Sequence, residues 1–240
     1  MPNHESSAVP MKTMILAAGF GRRMHSLTQA TPKPLLKAGG KPLIEYHLER
    51  LAHEGFQDIV INRATRAGHR LEAALGDGER WGLHIRWSRE DEPLETGGGL
   101  LKALSLLGDQ PFLLVNGDVF VRLSFKSLQM PIDSLAHLVL VNNPEHHLEG
   151  DFCLCDGKVQ SPALAGHRTL TYSGISILSP ELFRECQPGR FPLAPLLRKA
   201  AATGRVTGEH FTGYWLDVGT PERLQQLDQD LNAGRLPASE

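Results

Sequence analysis

The sequence predicts an α/β protein of three layers, in which a mostly parallel central sheet carries helices on both faces. Two observations predict this class. Strand-like and helix-like runs alternate along the chain, and the 240 residues, of which 41% are hydrophobic, supply the core of one such domain. Residues 1–10 are polar and predict a disordered extension, so the single domain is assigned to residues 11–240.

The first elements are predicted from apolar runs and their boundaries. A short apolar run at residues 14–18 ends in a glycine turn and predicts a buried strand. Leu43, Ile44 and Leu48 then recur at helical spacing, and Gly55 ends that helix. The same alternation predicts strands at 58–62, 83–88, 112–116 and 137–141, and helices at 70–75 and 97–107.

The pattern changes after Asn142. The run Phe152-Cys-Leu-Cys155, the turn residues Asp156 and Gly157, and then Val159 predict a β-hairpin. We expect this middle section to form a lid or wall beside the functional site. The remaining predicted elements are a strand at 169–178, a helix at 191–202, a short strand at 215–218 and a closing helix at 222–232.

Composition excludes several kinds of partner. The formal net charge of −2 leaves no basic excess for a nucleic-acid backbone, and no apolar run approaches the roughly 20 residues that span a bilayer. The three cysteines are an odd number and predict reduced thiols rather than a disulfide framework. We therefore expect a cytoplasmic protein that is a monomer and has no nucleic-acid or membrane partner.

The loop after the first strand predicts a site for the phosphates of a nucleoside triphosphate. Gly19 and Gly21 let backbone N–H groups approach a polyanion, and Arg23 and Lys33 neutralise it. Prolines on both sides stiffen the backbone at Lys33. Two other glycine-loop sites are excluded, because Met24 stands where the dinucleotide fingerprint needs its third glycine and no P-loop Gly-Lys-Ser/Thr run occurs.

Two further motifs are predicted to lie beside this loop. In open α/β sheets, ligands bind beyond the carboxyl ends of the strands. The stretch from Glu90 to Thr96 follows the third predicted strand, and Asn116-Gly-Asp118 follows the fourth. Three motifs at one edge of the sheet place the predicted functional site there.

Several ordered runs resemble the signature of the sugar-1-phosphate nucleotidylyltransferases. These runs are Leu16-Ala-Ala-Gly-x-Gly-x-Arg-Met-x-x-Leu-Thr28, Pro32-Lys-Pro34, Leu94-Glu-Thr-Gly-Gly-Gly99, Val115-Asn-Gly-Asp-Val119, Tyr172-Ser-Gly-Ile-Ser176 and Trp215-Leu-Asp-Val-Gly-Thr-Pro-Glu-Arg223. The resemblance covers roughly residues 11–231 and implies a Rossmann-like, GT-A-like nucleotidyltransferase fold. The chain departs from the family at Ser26, where proline is usual, and this change removes no ligand.

Within that family, the chain most resembles the uridylyltransferases of peptidoglycan recycling. The narrower match rests on Glu92-Pro-Leu-Glu-Thr-Gly-Gly-Gly99, Phe112-Leu-Leu-Val-Asn-Gly-Asp118, His146-His147, Gly150-Asp-Phe152 and Leu193-Ala-Pro-Leu-Leu-Arg198. It implies transfer of a nucleotidyl group from UTP to N-acetylmuramic acid 1-phosphate, with release of pyrophosphate.

The resemblance also implies which residues carry the chemistry. Arg23 would hold the departing β,γ-phosphates, and Lys33 would lie nearer the α-phosphate and the sugar phosphate. Asp118 would complete the catalytic set and share Mg²⁺ with Asp217, because this ion prefers carboxylate oxygens together with phosphates and water. Arg22 is expected to be solvated.

The nucleotide-binding residues implied by the resemblance leave the base open. They are Leu16, Ala17, Ala18, Gly19, Gly21, Arg23, Lys33, Glu90, Thr96 and Gly97. The Glu90 carboxylate accepts from uracil N3–H but cannot donate to O4, and it could also accept two N–H groups of guanine. A guanylyltransferase for mannose or heptose 1-phosphate is therefore the alternative enzyme.

A sugar-nucleotide sensor is the non-enzymatic alternative. Loss of Arg23, Lys33, Asp118 or Asp217 would favour it, and all four are present.

The sugar phosphate has its own set of implied contacts. They are Asn116, Asn143, Gly150, Asp151 and Ser173, with Tyr172 at a further sugar-facing position. A lysine that many relatives place on the sugar phosphate has no counterpart here, and Arg168 or Lys158 is the candidate to replace it. Arg168 or His147 is also the candidate to meet the lactyl carboxylate of N-acetylmuramate.

Overall fold

The computed structural model describes residues 11–19, 21–24, 26–161 and 166–236, without the side chains of residues 22, 30 and 65–67. The extension predicted at residues 1–10 lies outside this part of the chain. The strands are β1 Thr13–Leu16, β2 Lys37–Ala38, β3 Lys41–Pro42, β4 Asp58–Ala64, β5 His84–Glu90, β6 Phe112–Asn116, β7 Val119–Val121, β8 Ala136–Val141, β9 Phe152–Cys155, β10 Lys158–Gln160, β11 Thr169–Leu178, β12 Val206–His210 and β13 Trp215–Asp217. The α-helices are α1 Leu27–Ala30, α2 Leu43–His53, α3 Thr65–Leu75, α4 Glu95–Leu107, α5 Ala194–Ala202 and α6 Pro221–Asn232.

Within the described residues, one sheet of nine strands runs in the order β5-β4-β1-β6-β11-β8-β12-β10-β9. The neighbours β5, β4, β1 and β6 are parallel, as are β8 and β12, whereas β11 and β10 are antiparallel to their neighbours. Helices α2, α3 and α4 connect the parallel strands, and a hairpin and loops connect the others, as each pairing geometry requires. Seven of the nine strands run in the same direction, which confirms the prediction of a mostly parallel sheet. Strands β10 and β11 run in the opposite direction, so the sheet is mixed.

Two hydrophobic cores lie on opposite faces of the sheet, which confirms the three layers. Successive strand residues point to opposite faces. Met14 accordingly packs in a core with Leu100 of α4 and Leu197 of α5. Ile15 packs in the other core, with residues of α2 and α3 such as Leu48.

A third, smaller cluster packs α6 beneath the two-stranded pairing of β7 and β13. It contains Phe120, Val218 and Leu227. This cluster matters for the site, because β7 and β13 carry residues that the sequence predicts to be functional.

One strand of the sheet and the start of one helix differ from the predictions. Strand β12 was not predicted, because Gly208, Glu209 and His210 interrupt its apolar pattern. It nevertheless lies between β8 and β10, where a Cβ on Gly208 would come 2.8 Å from Leu138 O. Helix α5 begins at Ala194 rather than at residue 191, since the preceding residues pair with the start of α4.

In the described part of the chain, no helix is long and apolar enough to cross a membrane.

Candidate active site

The loop that follows β1 is fixed by a side chain that the sequence analysis did not single out. Asn62 Oδ1 accepts hydrogen bonds from Ala17 N at 2.7 Å and from Ala18 N at 3.3 Å. Asn62 Nδ2 donates to Glu90 Oε1 at 2.7 Å. Asn62 and Glu90 lie near the carboxyl ends of β4 and β5 and are only 3% and 2% exposed. These two strands therefore hold the glycine loop at the sheet edge.

Glu90 is buried, and its carboxylate supports neighbouring parts of the site. Leu94 N donates to Glu90 Oε2 at 3.2 Å, so both carboxylate oxygens accept hydrogen bonds from the protein. Burial raises the pKa of Glu90, because a charged carboxylate loses solvation there. The carboxylate thus positions Asn62 and the start of α4.

Lys33 directs a buried charge into the site. It opens a short 3₁₀ turn, Lys33–Leu35, directly after Pro32. Its side chain is 8% exposed, and Lys33 Nζ lies 2.5 Å from Asp118 Oδ2. Because a buried ammonium is costly without a charged partner, Asp118 fixes where the Lys33 charge points.

The pairing of β7 with β13 brings the two predicted metal ligands together. Asp217 pairs with Val119, the residue after Asp118. Val218 N also donates to Asp118 O at 2.8 Å. Aspartates far apart in the sequence therefore lie side by side at the sheet edge.

Arg223 joins Asp217 to His146. Arg223 Nη1 lies 3.2 Å from Asp217 Oδ2 and 2.6 Å from His146 Nε2. Burial and the Arg223 charge lower the pKa of His146, so a neutral ring accepts from the guanidinium. A Cβ on Gly219 would overlap Arg223 and lie 2.9 Å from Arg23 Nη2, which shows how tightly the cluster packs around that glycine.

Three clefts open along this edge of the sheet. The first has a volume of about 410 Å³, and its lining includes Leu16, Ala17, Ala18, Gly19, Lys33, Asn62, Glu90, Thr96, Asn116 and Asp118. The second, of about 420 Å³, is lined by residues that include Arg23, Asn116, Asp118, His146, His147, Thr171, Tyr172, Ser173 and Asp217. The third, of about 170 Å³, includes Leu16, Thr96, Asn116, Asp151 and Tyr172. Asn116 lines all three clefts, and Asp118 lies where the first two meet.

The start of α4 is packed rather than open. Thr96 lines the first cleft, and its Oγ1 accepts from Leu193 N at 2.9 Å. Gly97 turns away from that cleft, because a Cβ there would overlap the ring of Phe191. Gly98 N donates to Phe191 O at 3.1 Å, so a hydrogen bond joins the same two segments. Gly97 and Gly98 therefore let the segment before α5 lie directly against α4, whereas a Cβ on Gly99 would come 2.7 Å from Glu90 Oε1.

The residues predicted to contact the sugar divide into two groups. Ser173 lines the second cleft and Asp151 lines the third, and Asp151 Oδ2 accepts from Tyr172 N at 2.8 Å. Asn143 lines none of the three clefts. Its Nδ2 donates to Leu148 O at 2.9 Å and its Oδ1 accepts from Thr171 Oγ1 at 2.9 Å, so it pins the loop before β9.

Several other predicted residues lie outside the lining of these clefts. Gly150 adopts a φ of 64° beside the Asn143 side chain, and Gly21 has a φ of 59° beside Thr28. Arg168 is exposed, and Lys158 Nζ donates to Gly204 O at 3.2 Å away from the clefts. The side chain of Arg22 is outside the described part of the structure.

The sequence analysis missed Asn62 and Arg223. Each had a signal that could have found it. Asn62 ends a predicted apolar strand at the same edge as Asp118, and Arg223 closes the run that contains Asp217. Both act on neighbouring side chains, and such roles depend on contacts between distant parts of the chain.

A glycine loop and a buried lysine at the meeting point of two clefts define a phosphate-handling enzyme of the α/β class. The chain belongs to the nucleotidyl transferase family, whose model matches residues 12–151.

Individual relatives match over almost the whole chain. It is 49% identical over 223 residues to the N-acetylmuramate alpha-1-phosphate uridylyltransferase of Neisseria meningitidis serogroup B, covering 90% of this chain and 96% of that protein. It is 35% identical over 233 residues to the protein of the same name from Caulobacter vibrioides, covering 90% and 95%. Among solved structures, HddC from Yersinia pseudotuberculosis in complex with GMP-PN matches with a TM-score of 0.74 and 25% identity, covering 92% and 99%.

Proposed function

We propose that this protein transfers a uridylyl group from UTP to N-acetylmuramic acid 1-phosphate, giving UDP-N-acetylmuramic acid and pyrophosphate. One observation carries the proposal: two clefts meet at Asp118, and Lys33 is aimed at the meeting point. The first cleft suits the nucleotide and the second suits the sugar phosphate. The uridylyltransferases that match over 90% of this chain supply the identity of the two substrates.

The reaction requires that the negative charges of the two phosphate substrates are neutralised and that the reacting atoms are aligned. The attacking atom is a phosphate oxygen that is already anionic, so no side chain need remove a proton. It attacks the α-phosphorus of UTP, the bond from that phosphorus to the bridging oxygen breaks, and pyrophosphate leaves. Two polyanions must approach each other, and cations held in place lower the cost of that approach.

Lys33 and Arg23 divide this task. Lys33, which is buried at the junction, would neutralise the α-phosphate and the incoming sugar phosphate. Arg23, which lines the second cleft beside Gly219, would hold the departing phosphates where the triphosphate extends past Asp118 into that cleft. The loop residues Ala17, Ala18 and Gly19 would border the nucleoside along the first cleft.

Asp118 and Asp217 fit a magnesium ion. Their side chains are 38% and 23% exposed, both line the second cleft, and in each only Oδ2 is in an ion pair with Lys or Arg. Among the described residues no group of three or more His, Cys, Asp or Glu side chains forms a metal site, which suits an ion that takes its other ligands from phosphates and water. When bound, Mg²⁺ would supply positive charge to the phosphates of the nucleotide.

A guanylyltransferase remains the second candidate function because of the question of which base the first cleft binds. Glu90 in the first cleft and the likeness to HddC in complex with GMP-PN favour GTP. Glu90 accepts hydrogen bonds from Asn62 and Leu94, which favours a supporting role. These bonds leave its carboxylate with less capacity to accept the N–H groups of guanine. The two relatives that match at 49% and 35% identity favour UTP.

A substrate matrix tests the proposal. Pyrophosphate release would be measured for UTP, GTP, dTTP, CTP and ATP against the 1-phosphates of N-acetylmuramic acid, N-acetylglucosamine, mannose and glucose. We expect release with UTP and N-acetylmuramic acid 1-phosphate, loss of it with EDTA, and recovery on addition of Mg²⁺. Release with GTP and mannose 1-phosphate alone would replace the proposal with its alternative.

A further inference from the structure

The third cleft extends the site toward helix α5. Its volume is about 170 Å³, and it joins the other two clefts at Asn116. Phe152, Leu193 and Leu197 supply apolar walls, and Arg198 is the cationic side chain of its lining. A substituent on a sugar bound in the second cleft would therefore enter a small pocket that has apolar walls, a cation in its lining, and polar side chains such as Asn116 and Asp151.

Arg198 is a cation without an anionic partner among the described residues. The arginines that flank helix α5 in the sequence are paired: Arg205 Nη1 lies 3.2 Å from Glu181 Oε1, and Arg190 Nη2 lies 2.7 Å from Glu95 Oε1. Arg198 forms no such ion pair although it lines the cleft. A charge kept at a pocket and left unpaired there is suited to an anionic group of a ligand.

The backbone of α5 adds to this preference. Ala194, the first residue of the nine-residue helix, also lines the third cleft. The amino terminus of a helix carries a partial positive charge, and Arg198 lies one turn along from Ala194 on the same side. Helix and guanidinium therefore both favour a negative group in this pocket.

Asp151 is the acidic residue of the third cleft, and its charge is already engaged. Its Oδ2 accepts from Tyr172 N at 2.8 Å, and its Oδ1 lies 3.1 Å from His147 Nε2. The remaining acceptor positions of this carboxylate suit a sugar hydroxyl. Asp151 and Arg198 would thus contact different groups of one sugar.

We propose that Arg198 determines acceptor specificity by binding the lactyl carboxylate of N-acetylmuramic acid 1-phosphate in the third cleft. This inference rests on the proposed function. The lactyl group is a carboxylate with a methyl branch, and the cleft offers one unpaired guanidinium beside leucine and phenylalanine side chains. N-acetylglucosamine 1-phosphate lacks only this group, so it would leave Arg198 without a partner.

The structure prefers Arg198 to the two residues that the sequence suggested for this carboxylate. Both arginines are exposed, but Arg198 lines the third cleft whereas Arg168 lines none of the three clefts. His147 contacts Asp151 through its ring nitrogen, so its hydrogen-bonding capacity is partly used.

The experiment measures kcat and KM for both acceptors, with UTP saturating, in the wild type and in Arg198→Gln and Arg198→Lys. Lys199→Gln is the matched control, because Lys199 is the next residue and pairs with Glu185 at 2.7 Å on the exposed side of α5. We expect Arg198→Gln to reduce kcat/KM for the muramic acid phosphate on the order of 10- to 100-fold, chiefly through KM, as for one charge-assisted hydrogen bond. The value for N-acetylglucosamine 1-phosphate and the KM for UTP should stay within about twofold, and Arg198→Lys should recover part of the loss.

The outcomes separate this inference from the function on which it rests. A wild type that prefers the muramic acid phosphate, with the same preference in Arg198→Gln, overturns the role of Arg198 and leaves the function standing. A wild type that prefers N-acetylglucosamine 1-phosphate overturns both. An equal loss for the two acceptors shows that Arg198 supports the fold of α5, and this result also overturns the specificity role.

Discussion

Asn62 gives the sharpest test of how the sheet edge is built. Replacing it with alanine removes the amide that joins the glycine loop to Glu90. The variant loses the 2.7 Å bond to Ala17 N, the weaker 3.3 Å bond to Ala18 N and the 2.7 Å bond to the Glu90 carboxylate. The bond to Glu90 is buried, so solvent does not replace it, whereas Ala17 and Ala18 are partly exposed at the first cleft and water can replace their bonds in part.

The expected loss follows from these three contacts. A hydrogen bond to a charged group contributes about 1.5–3 kcal/mol, and each neutral bond contributes about 1 kcal/mol or less. We therefore expect the free energy of unfolding of Asn62→Ala to fall by about 3 kcal/mol. For a chain of this length such a loss lowers Tm by about 6–12 °C. The KM for the nucleotide should rise about tenfold, because the loop backbone that borders the first cleft is no longer fixed.

The assay is urea unfolding of the wild type, Asn62→Ala, Glu90→Ala and the double variant. Because Asn62→Ala leaves a buried carboxylate with one donor fewer, removing Glu90 as well should restore part of the loss, and the coupling should be about 1.5 kcal/mol or more. The penalty of Asn62→Ala should also shrink toward low pH, since the lost donor stabilised only the ionised form of Glu90. Additivity within about 0.5 kcal/mol would refute the reasoning.

Four further predictions concern single residues. Lys33→Ala should reduce kcat/KM about 100-fold or more, and Asp118→Asn should abolish turnover with an unchanged circular dichroism spectrum; a loss below tenfold, or normal kcat in Mg²⁺, contradicts the respective role. His47 is buried, and desolvation lowers its pKa to about 4, so the folded state binds fewer protons than the unfolded state between about pH 6.5 and pH 4. Its contribution to the free energy of unfolding is present above that window and is lost as pH falls through it, by about 3 kcal/mol, and His47→Phe should remove this part of the slope in urea titrations. Gly97→Ala should lower the free energy of unfolding by about 1–3 kcal/mol because its methyl would overlap the Phe191 ring, and an unchanged Tm would contradict that packing.

The sequence was sufficient for the features that depend on local pattern. Apolar runs that end at a glycine turn or at a polar residue located β1 and β6, and the rule that ligands lie at the carboxyl ends of strands then placed the glycine loop and Asp118 near one another. Strand β12 could not be found in this way, because burial between β8 and β10 overrides the poor strand propensity of Gly208.

The site was less predictable where function depends on contacts between separate elements. Asn143 matched a sugar-facing position, yet its amide is used to hold the loop before β9. Gly97 was expected at the nucleotide, yet it accommodates Phe191. Arg198 carried no chemical signal in the sequence beyond its presence in a matching run, and only the cleft in front of it suggests a role. In each case the deciding partner is far away along the chain.

The pairing of β7 with β13 has a consequence for the order in which the protein is made. One carboxylate of the proposed magnesium site precedes β7, and the other ends β13, much further along the chain. A chain that is still emerging from the ribosome can therefore form the loop after β1 long before Asp217 is translated. Catalytic competence would appear only when β13 pairs with β7 and α6 packs beneath them, so chains that stop before Asp217 should be inactive.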